Sequence, residues 1–349
     1  MSSGQYGDAM PKLSFSMLSL LTLTAVFCLS CEREKKTIVC WGDSLTAPWN
    51  QRLQDVLKRA VQGTDYPDYL QSMLGGEYKV VNAGVSGENT LTIMARQGAF
   101  PMILSHDITI FKSSKAHFKT IIGNNDIPVF LSAYNHKAVT PFIQSDWHEE
   151  SSSYINPCAI NNRLYTISAE ATYWPEAGEH KVEYNYYIEP LFHQEETDTI
   201  KSGSVVQTKA MRELRGKYGN IFFMGGNGGF GSVQDLINQY QAMIDYSQCS
   251  RYIIISFHMP LGIISTTQRL SEMEDSLAQA FGKNYINLRK YLLTHGLEDA
   301  RLTATQEDKD SISQGSIPPQ MLRDGKHFTG SINRVIAALV YRKIKELGW

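Results

Sequence analysis

The sequence predicts an α/β domain built on a parallel sheet and interrupted by a β-rich insertion. Three observations lead there. Apolar strand-like runs alternate with amphipathic runs from Thr37 to Gly84. The same rhythm resumes at Asn220 and continues to the last helix-like segment. Between them, roughly from Gly98 to Ser204, short aromatic and partly alternating runs replace it. Alternating strands and helices build a parallel sheet with helices on its faces, whereas short alternating strands separated by turn signals build all-β structure.

Composition limits the alternatives. A chain of 349 residues with 42% hydrophobic and 19% charged residues can bury a large core in one domain or two. Its formal net charge of −2 leaves no electrostatic footprint for nucleic acid, and no Lys/Arg run marks an anionic membrane surface. A partner has to be argued from a site.

The first segment is of a different kind. "MPKLSFSMLSLLTLTAVFCLSC" (Met10 to Cys31) carries Lys12, then an uncharged stretch from Leu13 to Ser30. A basic start, an apolar core and small residues predict a secretory signal. Ser14, Ser16, Ser19, Thr22 and Thr24 make it a poor match to hydrocarbon, so a spanning anchor is the weaker reading. "CLSC" also resembles a bacterial lipobox, which implies lipid on Cys31 and an exported cell-envelope protein. Cys28 stands where that motif usually has an aliphatic residue. Met10 competes with Met1 as the start, because "SSGQYGDA" adds nothing to a signal. Without Cys28 and Cys31, Cys40, Cys158 and Cys249 remain. An odd number with no metal-ligand spacing indicates neither a disulfide framework nor zinc, and Cys40 inside "TIVCWG" reads as a buried hydrophobe.

"TIVCWG" (Thr37 to Gly42) is a β-branched run bounded by glycine, hence a buried strand. "NQRLQDVLKRAV" spaces Leu53, Leu57 and Val61 at helical intervals, with Val56 on the same face. "YPDYLQSMLGG" is a short helix stopped by Gly75 and Gly76, and "YKVVNAG" is a second strand. In the middle, "FPMILSHDITI", "FKTIIG", "PVFLSAY", "RLYTISAEATYW" and "VEYNYYIEPLF" read as strands, separated by turns such as "IGNND" and "WPEAGEH". An insertion of that length is not a structureless loop. Then "NIFFMGG" is a strand, "SVQDLINQYQAMIDYS" a helix, and "RYIIISF" a strand too continuously apolar to face water. "TQRLSEMEDSLAQAFG", "YINL" and "SINRVIAALVYRKIKEL" follow as helix, strand and closing helix. The expected organisation is a signal over 1–31, one discontinuous α/β domain over 32–97 and 205–349, and the insertion over 98–204.

"IVCWGDSLTAPW" drives an apolar strand directly into Gly-Asp-Ser. Ser44 there is either a capping residue or a nucleophile. A nucleophile needs a base, an acid to orient the base, and donors for an oxyanion. "RDGKHFTG" supplies Asp324 and His327 on a turn entering the last helix, where Asp324 can accept the imidazole Nδ1–H while Nε2 faces a serine. Taken singly, Asp324 reads equally as a turn residue and His327 as a helix-start residue. "GVSGENT" places Gly87 after the second strand, and "MGGNGGFG" places Asn227 after a later one. Each has an ordinary turn reading. Their joint position is less ordinary, because all follow the carboxyl ends of predicted parallel strands or their final loop, where open α/β sheets bind ligands.

With those residues the chain resembles the SGNH, or GDSL-type, hydrolases. Ser44 in "WGDSLT", Gly87 in "NAGVSGENT", Asn227 in "GGNGG" and His327 in "DGKHFT" match the family's four blocks in order, and Asp324 fits its DxxH. The likeness covers Thr37 to Arg96 and Met211 to Trp349. It implies a flavodoxin-like α/β/α sandwich with a central parallel sheet. It also implies a Ser44–His327–Asp324 triad, and an oxyanion hole from the Ser44 and Gly87 N–H groups and the Asn227 amide. No metal or organic cofactor is implied. The third block commonly reads GxND, and Gly228 stands here in place of that aspartate.

The expected substrate is an acylated carbohydrate or a small acyl ester, with no nucleic acid and with a membrane met only through the N-terminal lipid. The alternatives are a glycan-binding envelope lipoprotein with weak or no catalysis, and a lipase or thioesterase of the same family. An ordinary α/β-hydrolase would need a GxSxG elbow, which is missing. Asp43 and His258, in "SFHMPLG", are candidates for lining the substrate pocket, although a satisfied loop histidine is the commoner case. "HEESSS" (His148 to Ser153) sits in an acidic turn. The aromatics of "TYWPE" and "VEYNYY" are either a sugar platform or, more ordinarily, strand core.

Overall fold

Strand β1 (Lys36–Gly42) is the organising element. Successive side chains of a strand point to opposite faces. Ile38 and Cys40 accordingly enter one apolar cluster, and Val39 and Trp41 enter another. Trp41 carries its one polar group inside with a partner, its Nε1–H donating to Asn220 Oδ1 at 3.0 Å. The computed structural model describes Met1 and residues 34–48, 65–111, 116–121, 128–141, 154–174, 181–192, 196–260 and 262–349. The signal with Cys31, the helix expected from "NQRLQDVLKRAV" and the "HEESSS" turn lie outside the described residues.

Helix α1 (Tyr66–Leu74) starts at Asp65, whose side chain accepts the Asp68 N–H, and ends at Gly75. Strand β2 (Tyr78–Gly84) then pairs parallel with β1, bringing Gly84 beside Gly42. Helix α2 (Thr90–Gln97) begins at Asn89, which accepts from Thr92, and all its residues are buried. The residues from Met102 to Val206 form separate antiparallel sheets: β3 (Met102–Leu104), β4 (Ile108–Ile110), β5 (Ala116–Ile121), β6 (Phe130–Ser132), β7 (Cys158–Ile160), β8 (Arg163–Trp174), β9 (Lys181–Pro190), β10 (Asp198–Ile200) and β11 (Val205–Val206). They surround a third apolar cluster that includes Phe130, Tyr165, Ile167, Tyr186 and Ile188. Met102 opposite Val206 in the β3–β11 pair brings the two ends of this stretch side by side.

The parallel rhythm returns with a short helix α3 (Lys209–Glu213), β12 (Gly219–Phe223), α4 (Val233–Ser247), β13 (Tyr252–Ile255), α5 (Thr267–Phe281), β14 (Tyr285–Ile286) and the closing α6 (Gly330–Glu346). The five parallel strands run in the order β2, β1, β12, β13, β14. Leu70 of α1 and Ile332, Ile336 and Val340 of α6 cover one face. Ile93 of α2, Tyr240 and Met243 of α4, and Leu270 and Leu277 of α5 cover the other. Chain order reverses between β1 and β12, and a ligand crevice opens beyond the carboxyl ends of strands at such a point. Lys36–Trp349 forms one compact unit. No helix among the described residues is long and apolar enough to cross a membrane.

Candidate active site

Ser44 lies two residues beyond β1, in a turn held by its neighbour. The Asp43 carbonyl accepts the N–H groups of Thr46 at 3.0 Å and Ala47 at 2.8 Å, and its Oδ1 accepts Leu45 N–H at 2.9 Å. Burial pushes the Asp43 carboxyl up to about 6. The turn folds back over the sheet because glycines lie beneath it. A Cβ at Gly84 would stand 2.3 Å from the Ala47 nitrogen.

His327 reaches this turn from the loop before α6. Its Nε2 is 2.9 Å from Ser44 Oγ, and its Nδ1 is 2.8 Å from Asp324 Oδ2. A carboxylate can only accept, so Asp324 sets the Nδ1–H tautomer and leaves Nε2 free to receive the serine proton. Asp324 Oδ1 also accepts the N–H groups of His327 at 2.7 Å and Lys326 at 3.1 Å. Arg323 N–H closes the loop by donating to the His327 carbonyl at 2.9 Å. Burial raises the Asp324 carboxyl, but the His327 backbone N–H and imidazole outweigh it and hold it below the usual value. Burial lowers the His327 imidazole, and Asp324 recovers only part of the loss. This environment favours the neutral imidazole of His327.

Gly87 follows β2 with φ of 82°, a conformation that favours glycine. The next residue anchors the loop. Glu88 is buried in a pair with Arg96, whose second nitrogen is 2.7 Å from Oε2 and also donates to the Ala83 carbonyl at 2.9 Å. Asn227, after β12, donates its Nδ2–H to the Glu88 carbonyl at 3.1 Å and accepts Lys326 Nζ on Oδ1 at 2.9 Å. Thr90 N–H donates to the Gly228 carbonyl at 3.0 Å, joining the two loops again. Among the described residues, no acceptor pairs with the backbone N–H of Ser44 or of Gly87.

Ser44, Asp324 and His327 thus form one hydrogen-bonded chain, and Asn227 joins both the Gly87–Glu88 loop and the His327 turn. The structure does not open the other two expected residues to the cleft. Asp43 and His258 are each 2% exposed, and the cleft is lined by Ser44, Leu45, Ala47, Asp65, Arg323, His327, Phe328 and Asn333. Asp43 is turned inward by its bond to Leu45. His258 packs under the loop that carries His327, its ring centroid 4.3 Å from that of Phe328, and burial pushes its imidazole down to about 3. Tyr186 lies in the third apolar cluster with its hydroxyl on the Pro141 carbonyl at 3.0 Å, which is the core reading of "VEYNYY" at that residue. Lys326 and the Glu88–Arg96 pair were not expected. Their sequence signals were a lysine inside the DxxH spacing and an acid directly after Gly87.

A larger cleft of about 620 Å³ runs along α1 and α6, past Tyr69, Arg334 and Arg342, and no histidine lines it. The paired hydroxyl and imidazole make the Ser44 cleft the candidate site. Among the described residues, no cluster of His, Cys, Asp and Glu could hold a metal ion.

Fold and site define an α/β protein with a five-stranded parallel sheet, in which a hydroxyl, an imidazole and a carboxylate meet beyond the strand ends. No family model and no curated protein matches the chain. One solved crystal structure aligns over 90% of this chain and 99% of its own, at 11% identity and a TM-score of 0.39.

Proposed function

We propose that this chain is a serine ester hydrolase of the SGNH type, with the flavodoxin-like strand order that such a fold requires. The observation that carries the reading is the line from Ser44 Oγ through His327 to Asp324, with both links within 2.9 Å. Ser44 Oγ attacks the ester carbonyl carbon while His327 Nε2 takes its proton. His327 then returns the proton to the leaving alcohol as the carbonyl carbon–oxygen bond breaks. Water, deprotonated by the same nitrogen, releases the acyl group from Ser44. The N–H groups of Ser44 and Gly87 and the Asn227 amide receive the oxyanion, each worth about 3 kcal/mol of barrier by analogy with measured oxyanion donors.

The cleft beside Ser44 encloses only about 20 Å³, little more than one water needs. A short acyl group, acetyl foremost, is the expected substrate, and the cleft volume alone does not select it. The carbohydrate part of the reading rests on the export signal, which would bring the protein to acylated envelope or extracellular glycans. A series of p-nitrophenyl esters of increasing chain length, run beside acetylated xylan and chitin fragments, tests both parts. Wild type should turn over acetyl fastest and Ser44→Ala should lose about 10⁴-fold or more in kcat. Equal turnover by the two proteins would refute the assignment.

A further inference from the structure

We infer that Lys326 is a positioning residue that clamps the oxyanion amide; the inference rests on the ester-hydrolase reading. A side-chain amide offers an acceptor at one end and two donors at the other, and it is useful to an oxyanion only one way round. Two contacts decide the orientation of Asn227. Lys326 Nζ, 2.9 Å away, can only donate, so it must face Oδ1. The Glu88 carbonyl, 3.1 Å away, can only accept, so it must face Nδ2. Flipping the amide would set its NH₂ against an ammonium and its oxygen against a carbonyl, and both contacts would repel.

The clamp uses the amide oxygen and one N–H, which leaves the second N–H for the reacting carbonyl oxygen. The neighbours of Asn227 cannot do this work, because Gly226, Gly228 and Gly229 carry no side chain. An ammonium on the amide oxygen also draws electron density from the nitrogen and strengthens the remaining donor, as linked hydrogen bonds polarise one another. Lys326 is held in turn by its own N–H on Asp324 Oδ1. One four-residue turn therefore orients the base and the oxyanion donor together.

A double-mutant cycle on p-nitrophenyl acetate tests this. Lys326→Met should lower kcat by about 10- to 100-fold, less than outright loss of an oxyanion donor, with KM within twofold and an unchanged melting temperature. Lys326→Arg, which keeps a cationic donor, should recover part of kcat. In an Asn227→Ala background the Lys326→Met loss should vanish, because nothing is left to orient. Should the Met variant not fold, Lys326→Gln, a donor without charge, reads the same cycle with a smaller loss. An equal loss in both backgrounds, an effect on KM alone, or an unchanged kcat would overturn the clamp while leaving the esterase standing. Absence of Ser44-dependent hydrolysis in wild type would instead overturn the ester-hydrolase reading, and the clamp with it.

Discussion

His327 accepts a proton only as the neutral imidazole. Burial lowers its pKa and Asp324 recovers only part of that drop, so the value stays below the ordinary 6.5. The kcat/KM profile should rise with pH through a single limb centred below 6.5 and then level off, because protonated His327 cannot act as base. A limb centred above 6.5, read from a pH series on p-nitrophenyl acetate, would contradict this environment. His258 makes a separate prediction about stability. Its folded pKa is about 3 and its unfolded one is near 6.5, so the unfolded chain binds its proton first. Its contribution is complete above pH 6.5 and is lost as pH falls toward 3. Between pH 7 and pH 5 wild type should lose about 2 kcal/mol relative to His258→Leu, read from urea melts at both values. Ser44, Gly87, Asn227, Asp324 and His327 were legible because each stands in a short motif with a chemical reason for its spacing. Lys326 and Glu88 were not, since a lysine in a turn and an acid after glycine ordinarily read as solvated charges. Asp43 and His258 misled because sequence shows that a residue follows a strand but not whether its side chain turns inward.

Backbone contact between elements sets the serine in place. The turn after β1 crosses the end of β2 so closely that Gly84 admits no Cβ, and the atoms in the way are backbone. Gly84→Ala should cost about 1–3 kcal/mol or more and should also reduce kcat, because relief requires Ser44 to move. A thermal melt with an ester assay checks both, and a variant with wild-type stability would show that the crossing is loose. The parallel strands were legible as continuous apolar runs between glycines. Helix α2 was not, because its eight residues give the 3.6-residue period little more than two turns to register. Strands β7, β10 and β11, two or three residues each, are too short for any alternation to register.

Across the whole molecule, the residues between β3 and β11 leave and return at one point. Leu104 N–H donates to the Ser204 carbonyl at 3.0 Å, and Gly203 N–H donates to the Leu104 carbonyl at 2.8 Å. A short Gly/Ser turn can therefore replace residues 105–203 without pulling the parallel sheet apart. Several ties oppose the cut, among them the Tyr154 hydroxyl donating to the Asn82 carbonyl, the Tyr134 hydroxyl donating to Asp235 Oδ1, the Arg212 guanidinium donating to the Pro157 carbonyl, and Ala95 of α2 in the third apolar cluster. The shortened protein should melt cooperatively and keep hydrolysis of a small acetyl ester, while losing preference for a large acetylated glycan, since binding remote from the reacting bond selects substrates. Loss of the cooperative transition would mean that these strands and the parallel sheet share one folding unit. The sequence marked this stretch by a change of texture. It could not show the β3–β11 pairing, because β11 is only two residues long.

In the proposed reading, His327 activates Ser44 as a nucleophile. The most direct test is intact-mass analysis after exposure to a fluorophosphonate, which bonds covalently to an activated serine hydroxyl. One adduct per chain is expected, mapping to Ser44 on peptide analysis, absent from Ser44→Ala and formed far more slowly by His327→Ala. No adduct on the folded wild-type protein, or one at another residue, would contradict that reading.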